Sequence, residues 1–259
     1  VIAGSGGFNP AMNGALIEGW DASVTPPGAP GVIPTWTGIN GTVGTFSGNP
    51  VTYSPTSMGD DEGGLHSGVA ISGSLMTCPL GALVVGRTRL GVILGVENFT
   101  ASTPGVLAEY GTPDATSANG QFAAILNIGG ASSADYFIFV RGGGGNGTWT
   151  SPINTVAINT VAVPGDPFAL SFVVDLNDTS GSTLRRVDNV ETAGGTIVAG
   201  LVAGSVMNNT TLFIGARAGV MFPTSCQWQQ IWLVDPDFSP TTMTDYARYV
   251  DRGMGEVGA

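Results

Sequence analysis

Short runs of β-branched and aromatic residues, each bounded by clusters of Gly, Pro, Asn, Asp and Ser, recur along this chain in the pattern of an all-β sandwich or barrel. They predict strands over residues 15–20, 66–71, 82–94, 106–110, 122–128, 136–141, 155–163, 168–175, 184–188, 196–202, 212–216 and 227–234. Residues 136–141 are apolar at nearly every position, as in a strand covered on both faces. The run 168–175 alternates less cleanly and ends in a turn rich in Asn, Asp and Gly, residues that supply side-chain bonds to the backbone and positive φ. Residues 25–56 are rich in Pro, Gly and Thr and read as extended chain with short strands wrapped over the main sheets. One helix is predicted, at the C-terminal end. Ser239 is placed to cap it and Pro240 to occupy its first turn. Met243, Tyr246, Ala247 and Val250 then fall on one apolar face, and Gly253 or Gly255 ends it. The fold class is therefore all-β, a two-sheet antiparallel jelly-roll sandwich with one short C-terminal α-helix. Residues 1–13 read as an N-terminal arm and 14–259 as a single domain, since no repeat or shift in composition marks a second.

Composition narrows the partners. Charged residues make up only 10% of the 259 positions, lysine is absent, and the net charge is −11. Nucleic-acid affinity rests on neutralising phosphates with Lys and Arg, and the only basic doublet, Arg185-Arg186, reads as a solvated hairpin. No nucleic acid and no anionic membrane surface are expected as partners. No apolar run is long enough for a membrane-spanning helix, and the first residues lack the basic and apolar regions of a secretion signal. Cys78 and Cys226 with the single His66 do not complete a zinc site. They read as two buried free thiols, with a disulfide decided only by geometry.

Two segments carry a resemblance. The first is Leu16-Ile17-Glu18-Gly19-Trp20-Asp21-Ala22-Ser23, followed by Val32-Ile33-Pro34-Thr35-Trp36 and Thr52-Tyr53. The second is Thr211-Leu212-Phe213-Ile214-Gly215-Ala216-Arg217, a loop holding Phe222, then Trp228-Gln229-Gln230-Ile231-Trp232-Leu233-Val234. Together they resemble the laminin-G/concanavalin-A-like jelly rolls found in bacteriophage virion proteins and in secreted bacterial proteins. In that group the closing helix opens as L-S-x-x-E. Here it reads Phe238-Ser239-Pro240-Thr241-Thr242, without the acidic residue. The shared motifs are short and concern packing, so the fold alone does not set the function.

Glycanases of the resembled fold carry paired carboxylates as E-x-D-x-x-E, because acid and base must flank the bond they cleave. No such run occurs; Asp188 and Glu191 are the nearest approach and read as a hairpin end. Asp60, Asp61 and Glu62 form an acidic cluster whose oxygens suit calcium, with a solvated turn as the plain alternative. The glycine run 142–145 lacks the Gly-Lys-Ser/Thr ending of a phosphate loop. His66 has no nucleophile motif beside it. Trp20, Trp36, Trp228 and Trp232 read as core. Trp149 follows the glycine loop and, with Asn146, is a candidate for a protein interface or for stacking on a glycan.

The expectation drawn from this is a non-enzymatic phage virion protein, a head decoration or cement protein. Its partners would be viral capsid or tail proteins; the resemblance implies a homo-oligomer, and cement proteins on icosahedral shells are often trimers. The alternative is a lectin-like carbohydrate-binding module or a tail-fibre adhesin.

Overall fold

The computed structural model describes residues 8–59, 65–98, 105–111, 122–128, 134–140, 154–160, 167–177, 183–188, 190–193, 206–208, 210–216 and 223–253, some of them by backbone alone. Strands β1 (Leu16–Asp21), β2 (Gly31–Ile33), β3 (Thr35–Thr37), β4 (Val43–Gly48), β5 (Val51–Gly59), β6 (Leu65–Ser72) and β7 (Ser74–Pro79) fill the first part. The middle holds β8 (Arg89–Asn98), β9 (Gly105–Gly111), β10 (Phe122–Ile128), β11 (Ala134–Val140) and β12 (Asn154–Thr160). After these come β13 (Pro167–Asp175), β14 (Thr183–Asp188), β15 (Val190–Ala193), β16 (Thr211–Ile214), β17 (Ser225–Val234) and helix α1 (Thr242–Gly253).

The strands form two sheets in which, among the described residues, every pairing is antiparallel, as the sequence predicts. Sheet A runs β15-β14-β13-β8-β17-β6-β5-β2 and sheet B runs β12-β11-β10-β9-β16-β7-β4-β3. The chain changes sheet at Pro34, between β2 and β3. β17 is the hub of sheet A. One edge pairs with β8 along most of its length; the other is shared, Ser225 to Trp228 with β6 and Gln230 to Val234 with β1.

The core between the sheets is built from inward positions of both, with Trp20, Trp36, Trp228, Tyr110 and Phe172 among its largest members. Buried indole N–H groups need acceptors: Trp20 Nε1 donates to the Trp36 carbonyl at 3.0 Å, and Trp36 Nε1 to the Thr25 carbonyl at 2.8 Å. A second apolar cluster on the outer face of sheet A joins Ile93, Trp232 and Val234 to Tyr246 and Val250 of α1. Phe8 packs edge-on against Tyr246, with ring centroids 4.8 Å apart, and the Tyr246 hydroxyl donates to the Pro10 carbonyl at 2.9 Å. Residues 8–12 thus lie on the chain's own helix.

Three differences from the sequence reading have physical causes. The strand expected over 82–94 is broken: Gly81 and Gly86 take φ of 49° and 87°, a short 3₁₀ turn forms over Gly81–Leu83, and β8 starts only at Arg89. Positive φ ends an extended run. The helix starts at Thr242, after a turn through Pro240. Ser239 N–H donates to Thr242 Oγ1 at 3.0 Å, so threonine takes the reciprocal capping role that glutamate holds in the resembled pattern. Third, Gln229 bulges out of the β17–β8 ladder. The strand predicted over 196–202 lies outside the described residues.

Candidate functional site

The predicted site residues separate cleanly. Asp60, Asp61, Glu62, Asn146 and Trp149 lie outside the described residues. Trp20, Trp36, Trp228 and Trp232 are all buried in the packed interior. Cys78 and Cys226 are free and buried. Burial in apolar surroundings pushes the Cys226 thiol up to about 12 and raises Cys78 further still, so neither supplies a thiolate nucleophile at neutral pH. Asp188 pairs with Val190 across the β14–β15 hairpin, the turn the sequence predicts. His66 sits half-buried on β6, opposite Met58 of β5. Among the described residues no group of three His, Cys, Asp or Glu side chains is arranged to hold a metal.

Two other buried carboxylates, Glu18 and Asp21, are committed to the fold. Glu18 accepts the N–H groups of Gly19, Asn40 and Thr42 at 2.8–2.9 Å and pins the turn before β4. Asp21 Oδ1 accepts Ser23 N–H at 2.8 Å and Ser23 Oγ at 2.6 Å, which closes the turn after β1. Desolvation raises the Asp21 carboxyl above its usual range, and the Tyr249 hydroxyl beside it is pushed up to about 12 by burial and by that charge.

A different set of side chains converges on the outer face of sheet A. Along β17, Cys226, Trp228 and Ile231 point into the core. A bulge places two consecutive side chains on one face, and here Gln229 and Gln230 both point outward. They form a chain of amides: Trp232 Nε1 donates to Gln230 Oε1 at 2.9 Å, Gln230 Nε2 to Gln229 Oε1 at 3.2 Å, and Gln229 Nε2 to the Gly253 carbonyl at 2.7 Å. This chain ties down the end of α1. Gln227 belongs to the other half of β17, where β6 replaces β1 as the neighbour.

Gln227 sits in a register row with Thr52, Ala70 and Glu97. The bulge in β5 between Ser54 and Met58 carries Ser57 over Gly68. A side chain at Gly68 has no room: its Cβ would stand 2.7 Å from Ser57 Oγ and 2.8 Å from Gln227 Oε1. Gln227 is 8% exposed and donates through Nε2 to the Ser57 carbonyl at 3.2 Å. Its Oε1 and Ser57 Oγ are both buried and have no hydrogen-bond partner. Around them stand exposed Thr52 and Ser72 and half-buried Ser54, His66, Glu97 and Ser225. The site is thus an amide, hydroxyls, an imidazole and one carboxylate on a sheet, with a buried amide oxygen and a buried hydroxyl that have no hydrogen-bond partner. Its sequence signal is the run Gln227-Trp228-Gln229-Gln230: polar amides in the last core strand, where a search for paired carboxylates does not look.

No protein-family model matches the chain, and no curated protein matches it in sequence. Solved structures do share its architecture. A GH54 α-L-arabinofuranosidase matches at a TM-score of 0.55 and 10% identity, over 95% of this chain and 60% of that one. An arabinofuranosidase complexed with arabinofuranosyl-α-1,2-xylobiose matches at 0.55 and 8%, over 86% of this chain and 50% of that one. Trypanosoma rangeli sialidase matches at 0.51 and 10%, over 86% and 31%. The chain therefore spans between about a third and three-fifths of these proteins, and the likeness is one of fold, a jelly-roll-like β-sandwich.

One expectation is corrected by these similarities, that the chain is not an enzyme. The three solved structures named above are glycosidases. The missing E-x-D-x-x-E run does not stand against them, because a glycosidase needs two carboxyl groups at the right separation and separate strands can supply them. The similarities lend no support to the capsid-decoration expectation.

Proposed function

We propose that this chain is a carbohydrate-binding β-sandwich of a glycan-active protein and that it takes a glycan at the Gln227 site. The observation that carries this reading is the pair of buried polar atoms, the Gln227 amide oxygen and the Ser57 hydroxyl, that have no hydrogen-bond partner. An unsatisfied buried acceptor costs about 1–3 kcal/mol, and a ligand hydroxyl offsets that cost by donating to it. Sugars offer hydroxyls at close spacing, and the amide and hydroxyl groups around Gln227 are the kind that fix a sugar's orientation. The fold shared with arabinofuranosidases, one of them complexed with an arabinofuranosyl-xylobiose, supports a glycan as the ligand class.

The phage-particle expectation, with capsid or tail partners, draws on the resemblance carried by the W-D-A-S and I-G-A-R segments, together with the absent catalytic motif, the lack of lysine and of a secretion signal, and a neutral polar composition. Packing accounts for both segments: Trp20 fills the core, Asp21 closes a turn, and Gly215, at φ 86°, lies where a side chain would run into Ile71.

The test is titration calorimetry with oligosaccharides identified on a glycan array. Gln227→Ala is expected to weaken binding about tenfold, or about 1.4 kcal/mol, with an unchanged circular dichroism spectrum. Hydrolysis is followed in the same samples. Binding that is indifferent to both Gln227→Ala and Ser57→Ala would place the ligand elsewhere and refute this site.

A further inference from the structure

We infer that the ligand of the Gln227 site is a glycan chain of at least three sugar residues, lying across the strands of sheet A from β17 towards β2, and not a single terminal sugar. This rests on the glycan reading above and sets the size and direction of its ligand. Residues directly opposite each other in paired antiparallel strands share a face. Gln227 of β17 stands opposite Ala70 of β6, Ala70 opposite Thr52 of β5, and Thr52 opposite Val32 of β2. Their chain neighbours Trp228, Val69, Ile71, Val51, Tyr53 and Ile33 turn the other way, into the core. The row is therefore continuous on the outer face of sheet A. Neighbouring strands lie about 4.8 Å apart, so from Gln227 to Val32 it is roughly 14 Å long.

The side chains along this row fit a chain laid over them. At one end is Gln227, almost fully buried, whose amide oxygen has no hydrogen-bond partner. Ala70 follows, half-buried, with a side chain too short to obstruct a ring above it. Thr52 is exposed and brings a hydroxyl and a methyl group. Val32, on a three-residue edge strand, is 69% exposed, and the C–H face of a sugar ring is the kind of surface that covers it. Hydroxyls flank the row on both sides. Ser72 and Ser225 stand opposite each other with their oxygens 3.0 Å apart on one side; Ser54, opposite Gly68, and the Ser57 bulge lie on the other. Along β17 itself the way is closed two residues on, where Gln229 holds the last turn of α1. A sugar residue in an extended glycan advances by close to one strand spacing, so each strand crossed meets one residue. A lone sugar on Gln227 would reach neither Thr52 nor Val32, roughly 10 and 14 Å away.

The experiment uses a glycan array printed with graded series of one to five sugar residues, followed by titration calorimetry on each series that binds. The full chain is compared with Gln227→Ala, Thr52→Ala and Val32→Ser. Thr52 and Val32 are exposed, so both of their variants are expected to keep the circular dichroism spectrum and melting temperature of the parent. Affinity is expected to rise about tenfold from one residue to three and to level off beyond four. Thr52→Ala is expected to weaken binding about threefold from the trisaccharide upwards, and Val32→Ser only from the tetrasaccharide upwards. Gln227→Ala weakens every length. A monosaccharide that binds as tightly as the tetrasaccharide, and loses binding in Gln227→Ala, would overturn the row while leaving the glycan reading intact. So would a gain with length that neither Thr52→Ala nor Val32→Ser diminishes. An array with no hits at all would overturn both.

Discussion

At the scale of single residues, the polar groups that matter are held away from water, and their environments set what they do. Asp21 is the clearest case. It is fully buried, and desolvation outweighs its bonds to Ser23 and Val24, so its carboxyl sits above the usual range. A carboxyl raised on folding binds its proton more tightly in the native state than in the unfolded chain. Its contribution to stability is therefore fully present below the unfolded value of about 3.9 and is lost as pH rises through the native one. Asp21→Asn keeps the acceptor for Ser23 and carries no charge. It is expected to raise the melting temperature at pH 7 by roughly 2–4 °C, the effect of about 1 kcal/mol in a domain of this size, and to give no gain at pH 4. Calorimetry across that range checks it. The residues of the candidate site were hardly legible in the sequence. Gln227 and Glu97 lie 130 positions apart, and only the β17–β8 register makes them neighbours. Gly68, one glycine among 41, is needed there only because a bulge in another strand drops Ser57 onto it.

At the scale of elements, what is periodic in sequence is visible and what is irregular is not. The helix was legible down to its buried face, Tyr246, Ala247 and Val250, because a 3.6-residue period leaves a direct mark. The bulge at Gln229 was not, since an extra residue in a strand leaves the composition unchanged and merely shifts the alternation by one. Yet that bulge determines how the helix is held. By turning two glutamines to one face, it links Trp232 through them to the last turn of α1. Gln230→Leu leaves the Trp232 N–H buried without an acceptor and cuts the chain of amides. It is expected to cost about 2 kcal/mol in urea denaturation and to speed hydrogen exchange in the last turn of α1 more than in β8. Equal exchange in both elements would mean that the amides do not hold the helix.

At the scale of the whole molecule, the sandwich is held by apolar packing between its sheets, and Cys78 and Cys226 take part in it as small apolar side chains. The sequence left open whether they are bridged; the fold answers by burying each as a free thiol. Dithiothreitol is accordingly expected to leave the melting temperature unchanged, and a thiol reagent such as DTNB to react with both cysteines in denaturant and with neither in native buffer. The fold class was legible from turn chemistry and alternation, which act locally. Strand order was not, because it depends on pairings between residues far apart in the chain.

One of those pairings bears on how the molecule is made. β1, near the start of this sequence, takes its strand partner from β17, near the end, with Leu16 opposite Val234. A ribosome emits β1 long before its partner exists. The turn that Asp21 closes is local, but the ladder of Glu18 to Asp21 against Gln230 to Leu233 must wait until some two hundred further residues have emerged. Closing so long a loop is slow, because its entropy is lost before any contact is gained. The sandwich is thus completed only once β17 has emerged, and its arrival, which also seats β6 and α1, is the step that converts a loose assembly of hairpins into the finished fold.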